Sequence, residues 1–288
     1  MQFDASNCYN VNNMTILCID FMNAAHRARS GFTMGPAPVL FNFFRQFKAL
    51  IDEFKPNRVY VVLEGRPVKR YEALTEYKAN RIVQEDDPKY KELQKFYVQK
   101  DIVVDLLSRC FPVSVVRHPR HEADDTIANL VRASSSTADW VIASSDSDFI
   151  QLLETNPNVR LYNPVRKEFV SAPENYPYVV WKALRGDATD NIPGIPGCGD
   201  KTAAKIASDQ NLLQEFVTRP EVKPIFARNY DLIRFAEWSD EEKLQMTSSS
   251  PSRDWQSVKE VFDGYGFSSL TKDPSWEKFV ASFEILWG

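Results

Sequence analysis

Nine carboxylates in this 288-residue chain stand where chemistry would need them: Asp20, Glu64, Glu122, Asp124, Asp125, Asp146, Asp148, Asp187 and Asp190. Each alone has an ordinary explanation, because acids are frequent in loops and make good helix N-caps. Together they are harder to dismiss. Converging acids repel one another and resist ionising in a partly dry site, so something positive must offset them. Oxygen ligands without His or Cys select Mg²⁺ or Mn²⁺ over zinc. Two such ions about 4 Å apart can clamp a phosphate, one generating hydroxide and the other stabilising the leaving oxygen. The chemistry suggested is phosphodiester hydrolysis. The histidines His26, His118 and His121 form no ligand pattern, and Cys8, Cys18, Cys110 and Cys198 form no Cys-x-x-Cys pair. A zinc site or disulfide framework is therefore not expected, and reduced thiols fit a cytosolic setting.

The elements that must carry these acids show as apolar runs. Residues 15–20 (TILCID), 58–64 (RVYVVLE), 113–116, 140–144 and 159–162 read as strands, and 38–54, 89–110 and 124–133 as helices. Strands alternating with helices predict an α/β fold with a mostly parallel central sheet flanked by helices. In such sheets ligands gather at the carboxyl ends of the strands. Asp20, Glu64, the 122–125 cluster, Asp146 and Asp148 all lie at that edge. Past residue 180, Gly and Pro cluster over 186–199, and a smaller helical module follows. The expected division is a core over 1–182, a helical module over 183–245 and a segment over 246–288 that packs back on the core. Residues 1–13 read as a polar lead-in and 248–251 as a linker, and Trp255, Trp276 and Trp287 provide the packing of the last segment. No run approaches the roughly 18 apolar residues of a membrane span, and the N-terminus lacks a signal-peptide pattern. A cytoplasmic protein is expected, in host cytoplasm if phage-encoded. The formal net charge of −4 does not by itself suggest a nucleic-acid partner; the distribution of charge has to decide.

Five motifs, in order, resemble the flap endonuclease and 5′-to-3′ exonuclease family, which includes stand-alone phage 5′-exonucleases and the 5′-nuclease domain of bacterial DNA polymerase I. They are Ile19-Asp20-Phe21-Met22-Asn23 with Arg27 following; Arg70 with Tyr77-Lys78-Ala79-Asn80-Arg81; Glu122-Ala123-Asp124-Asp125; Ser145-Asp146-Ser147-Asp148; and the long stretch 186–203, GDATDNIPGIPGCGDKTA. The matches span residues 15–206. Two departures stand out. The second strand ends in Glu64 where the family usually has Asp, and Phe21 stands where Gly is common.

The resemblance implies a PIN-like nuclease core with a helical arch at about 66–105, and a helix-hairpin-helix module. The nine acids would hold two or more Mg²⁺ ions, directly or through water, with Mn²⁺ able to substitute. Lys78 and Arg81 would be the catalytic cations on the transferring phosphate. Tyr77 would stack on an unpaired base, and Arg27, Lys69 and Arg70 would steer phosphates. Gly194, Gly197 and Gly199 would let backbone N–H groups approach duplex phosphates at a helix start, with Lys201 and Lys205 adding charge, and the family's carbonyls there can hold K⁺. The implied protein is a monomer acting on DNA with 5′ flaps, branches or free 5′ ends, and on RNA–DNA hybrids if it removes primers. The residues alone leave rivals. The basic stretch over 66–100 also holds Glu72, Glu76, Glu85, Asp86, Asp87 and Glu92 and could be a solvated face. A catalytically impaired branched-DNA-binding protein would keep the same fold. A Walker loop is rejected, since Asp200 stands where Lys is required. A dinucleotide fingerprint is rejected as well, since no third Gly follows Gly199 at the needed spacing.

Overall fold

The computed structural model describes residues 14–31, 35–134 and 138–287. The lead-in, Cys8 and the Trp287 side chain lie outside the described residues. Five parallel strands, β1 (Thr15–Asp20), β2 (Arg58–Leu63), β3 (Ser114–Arg117), β4 (Asp139–Ala143) and β5 (Val159–Asn163), form the middle of one sheet. Antiparallel edges close it on either side: β6 (Glu168–Val170) on β5, and a later strand on β3, giving the order β6-β5-β4-β1-β2-β3-β9. That last strand, β9 (Thr247–Ser248), comes after the short hairpin of β7 (Gly186–Asp187) and β8 (Ile192–Pro193).

The strands are apolar on alternate residues toward two different cores, so both faces are covered. Leu17, Ile19, Val59 and Val61 face one core and Ile16, Cys18, Val62 and Val116 the other. The first core is closed by α1 (Phe21–Arg29), α2 (Pro38–Phe54) and the lower half of a long helix that follows α3 (Val68–Ala73), namely α4 (Lys89–Cys110). The apolar period and Pro38 at the first helical turn set the start of α2, where the Gln99 side chain accepts from the Val39 N–H at 2.8 Å. Phe21, the bulky departure in the first motif, points into this core and meets Phe43 with ring centroids 5.6 Å apart. Its bulk therefore enlarges the core. The second core is closed by α5 (Ala123–Ala133) and α6 (Ile150–Leu153).

The helical part begins with α7 (Tyr178–Arg185) and continues through α8 (Asp200–Ala207), α9 (Gln210–Val217), α10 (Lys223–Ile233) and α11 (Asp240–Lys243). Leu184, Ile195, Ala203 and Ile206 centre a core of its own there. The segment read as a linker differs from that expectation. Ser249 exchanges backbone and side-chain hydrogen bonds with Val115 at 2.9 and 3.0 Å, so the chain is pinned along the β3 edge. Beyond it α12 (Trp255–Gly264), α13 (Ser268–Thr271) and α14 (Ser275–Glu284) place Phe262, Phe279 and Phe283 in the first core, where Phe283 meets Phe111 at 5.0 Å. No described helix is long and apolar enough to cross a membrane.

Candidate active site

The sheet delivers its acids at one edge, and most also do the local work expected of an ordinary acid. Asp20 ends β1, caps α1 through the Asn23 N–H at 3.2 Å and is buried. Glu64, one residue past β2, accepts from the Ala123 N–H at the start of α5 at 3.0 Å. Asp146, past β4, caps the next turn through the Asp148 N–H at 2.9 Å, and Asp187 accepts from the Thr189 N–H at 2.8 Å. Capping and convergence thus coexist. Ser144, fully buried, joins two of these acids across neighbouring strands: its hydroxyl donates to Asp20 at 2.9 Å and accepts from the Asp146 N–H at 3.1 Å. Asn23 and Ser145 add a reciprocal pair beside it, at 2.8 and 3.1 Å.

Two groups of three acids flank this row. In each, the ligand oxygens lie within 4.8 Å of one another: Glu122, Asp124 and Asp125 in one, Asp148, Asp187 and Asp190 in the other. Cations hold both groups. Arg70, on α3, is buried; it bonds Glu122, makes a two-pronged contact to Asp125 at 2.8 and 3.0 Å and donates to the Leu232 carbonyl at 2.9 Å. Lys78 pairs with Glu122 and lies 3.5 Å from Asp190, while Arg81 pairs with Asp190. Lys182, on α7, pairs with Asp148 and with Asp187 at 2.7 Å. Asp20, Glu64 and Asp146 have no ion-pair partner among the described residues.

The electrostatics follow this division only in part. Burial drives the Asp20 carboxyl above its ordinary range, and burial with its neighbours Asp125 and Glu122 drives Asp124 well above it, against the pull of Arg70. Glu64 and Asp146 keep exposed flanks. The protein packed around their carboxylates, with the charge of Glu122 and Asp20 on one and of Asp20 and Asp190 on the other, raises both, and the open flanks temper the rise. Burial works against the charge of Glu122 and of Asp187, but Arg70 and Lys78 outweigh it for the first and Lys182 for the second, so both stay below the carboxylate range. Burial still raises Asp148 despite Lys182.

Two residues take places other than those expected. Tyr77, read as free to stack on a base, is 2 % exposed, with its hydroxyl within hydrogen-bond distance of two carboxylates, Glu122 at 2.8 Å and Asp190 at 3.0 Å. The reason is that residues 76–81 fold back on 188–191: the Lys78 N–H reaches the Asp190 carbonyl at 2.9 Å, and the Asn191 amide the Glu76 carbonyl at 2.7 Å. Arg70, read as steering phosphates, is buried among acids and turned away from solvent. Arg27 is half-buried beside Gln46, to which it donates at 2.7 Å, and Lys69 pairs with Glu242 at 2.6 Å. Gly194 has a packing reason of its own, since a Cβ there would lie 1.9 Å from the Arg185 carbonyl. Gly197, Gly199 and Lys201 are exposed at the start of α8, and Lys205 is exposed in its last turn. Lys182 and Ser144 were not foreseen. A lysine in an amphipathic helix reads as surface, and only Asp146, two residues on, hints at the place of Ser144.

The donor set, all carboxylate oxygen with uncompensated charge in its middle row, fits hard divalent cations. Comparison with known proteins agrees with the motifs. The model of the 5′-3′ exonuclease N-terminal, resolvase-like domain matches residues 15–178. DNA polymerase I of Caldicellulosiruptor bescii is 31% identical over 195 residues, which cover 62% of this chain and 22% of that protein. A 5′-3′ exonuclease of Mycobacterium tuberculosis is 28% identical over 206 residues, 63% of this chain and 64% of that one. This chain thus spans about a fifth of the polymerase relative, at 22%. Among solved structures, the bacteriophage T5 flap endonuclease in complex with DNA and metal ions superposes with a TM-score of 0.61 at 18% identity, over 95% of this chain and 100% of that one. The catalytic core of Rad2 in complex with DNA superposes at 0.55 and 15% identity, over 94% and 93%.

Proposed function

This chain belongs to the 5′-3′ exonuclease family, and we propose that it is a divalent-metal-dependent 5′-nuclease of the cytoplasm that cuts DNA at or near a free 5′ end, flap or branch. One observation carries the reading: Asp20, Glu64 and Asp146, from three adjacent strands, lack cations while the acid groups on both sides have them. Mg²⁺ or Mn²⁺, when bound, would supply the hydroxide and the positive charge that phosphodiester hydrolysis requires. The middle row, with acids of the flanking groups, would hold it. Lys78 and Arg81 rest on Glu122 and Asp190, at the place where a phosphate would arrive. They are the groups to stabilise charge on its oxygens. Arg70 and Lys182 are positioning cations that hold Glu122 and Asp187 ionised and keep the flanking acids aimed. Exposed Lys201 and Lys205, with the backbone N–H groups at the start of α8, would grip duplex phosphates without reading sequence. Nothing in this set reads a 2′-hydroxyl, so RNA flaps are candidate substrates as well.

The test is a time course on a 5′-end-labelled flap with Mg²⁺, with and without chelator, on DNA- and RNA-flapped substrates. Chelator should stop cleavage, and Asp146→Asn should stop it while leaving branched-DNA binding intact. A native protein that binds the flap and never cuts it with either Mg²⁺ or Mn²⁺ would refute the enzyme reading.

A further inference from the structure

A cleft of about 480 Å³ is lined by Asp148, Asp187 and Asp190 together with the cations Arg81, Lys182 and Arg185. Pro173, Tyr176 and Trp181 line it as well. Tyr176 and Trp181 also pack against the core of the helical part, but hard cations bound by the acids take oxygen and leave the aromatic surface that lines the cleft free for another group. That lining is braced. The Trp181 indole donates to the Asp200 carbonyl at 3.2 Å, and the Arg185 guanidinium lies 4.9 Å from its ring centroid while pairing with Asp200 at 2.6 Å. Tyr176, half-buried on the loop before α7, lies 5.8 Å from Trp181 at an interplanar angle of 32°. The neighbouring Tyr178 hydroxyl reaches Asp148 at 3.1 Å, tying the aromatic side to the acidic one.

A fixed aromatic surface beside acids that would take a phosphate through bound divalent metal, in a volume suited to one small ligand, matches a nucleotide. Stacking requires only the π-face that every base has. We propose that this cleft is a nucleobase subsite for a 5′-phosphorylated nucleotide at the cut, with its phosphate at the acidic side and its base against Tyr176. The proposal rests on the nuclease reading for the phosphate and adds to it a site for the base. Because the contact is stacking, all four bases are accepted about equally.

The test is equilibrium binding to the full chain, with Ca²⁺ present to permit ligation without turnover, comparing a deoxynucleoside 5′-monophosphate with deoxyribose 5-phosphate. The nucleotide is expected to bind about tenfold more tightly. Tyr176→Ala should remove that preference, Tyr176→Phe should keep it, and neither should change the affinity for the sugar phosphate. Equal affinity for the two ligands in the native protein, or a preference that survives Tyr176→Ala, would overturn the subsite alone. If calorimetry finds no bound Ca²⁺ and neither ligand binds, the subsite and the nuclease reading fall together.

Discussion

Glu122, Asp124 and Asp125 come from one helix start, whereas Asp148, Asp187 and Asp190 come from two stretches of chain almost forty positions apart. Their cations are arranged the other way round. The first group takes Arg70 and Lys78 from a distant segment between β2 and α4, and Arg70 is held by three kinds of partner at once. The second takes Lys182 from α7, the helix immediately before Asp187, for Asp148 and Asp187, and borrows Lys78 and Arg81 from that same distant segment for Asp190. A compact acidic motif thus depends wholly on non-local neutralisation, and a dispersed one carries part of its counter-charge nearby. What the two share is the middle row, Asp20, Glu64 and Asp146, which Lys78 and Lys182 influence from a distance and with which no described cation forms an ion pair. The difference teaches that buried cations here trim the charge of the flanks and leave the deficit where metal would be wanted.

The sharpest way to break that comparison is to remove a charge from the row itself. Asp20→Asn should reduce Mg²⁺-dependent cleavage on the order of 10³-fold, measured in single-turnover assays. Next come the cations, and the two groups should respond differently. Lys78→Ala should slow cleavage about 10²-fold with little loss of fold, since this lysine rests on acids that metal would engage. Lys182→Ala should instead be read in stability. Leaving Asp148 and Asp187 unpaired in a buried place should cost about 3 kcal/mol, lowering the metal-free melting temperature by about 10 °C, with part of the loss recovered on adding Mg²⁺. Equal effects of the two lysine variants on melting would remove the distinction. Ser144→Ala should weaken Mn²⁺ binding about tenfold, measured by calorimetry, because the hydroxyl orients Asp20 and Asp146 together.

The smallest effect concerns pH. Burial holds the Asp20 pKa above its unfolded value, so ionising it opposes folding. Stability from the neutral form is complete below the unfolded pKa near 4 and is lost as pH rises through the raised value. In metal-free protein, Asp20→Asn should therefore melt about 2 °C higher than the native chain at neutral pH, and the gap should close as pH falls toward about 4. A gap that widened on acidification would reverse the sign assigned to this carboxylate.

How much of this could be read from residue order depends on range. β1, α2 and α4 begin and end where their apolar patterns do, because burial on one or both faces writes itself into local periodicity. The family motifs were legible because each lies within one local stretch of chain. Strand β9 was not, since two Thr/Ser residues at an edge carry no apolar signal and are held by pairing with Val116 and Arg117. The burial of Tyr77 was hidden too. It depends on segment 76–81 meeting 188–191, a contact more than a hundred residues long in sequence. Lys182 looks like any solvent lysine until Asp148 and Asp187 are seen to close over it.

Gly65 shows how narrow the tolerances around this cleft are. Its N–H meets the His121 carbonyl at 3.0 Å, and a Cβ at this position would stand 1.9 Å from the His118 carbonyl and 2.4 Å from that of His121. The two loops that bear Glu64 and Glu122 are therefore in backbone-to-backbone contact at the one residue with nothing to interpose. Even a single methyl would act as a shim, prying the β2 and β3 tips apart and widening the span between carboxylates that depend on a fixed separation. The gauge of the whole acidic row is in this sense kept by a hydrogen atom.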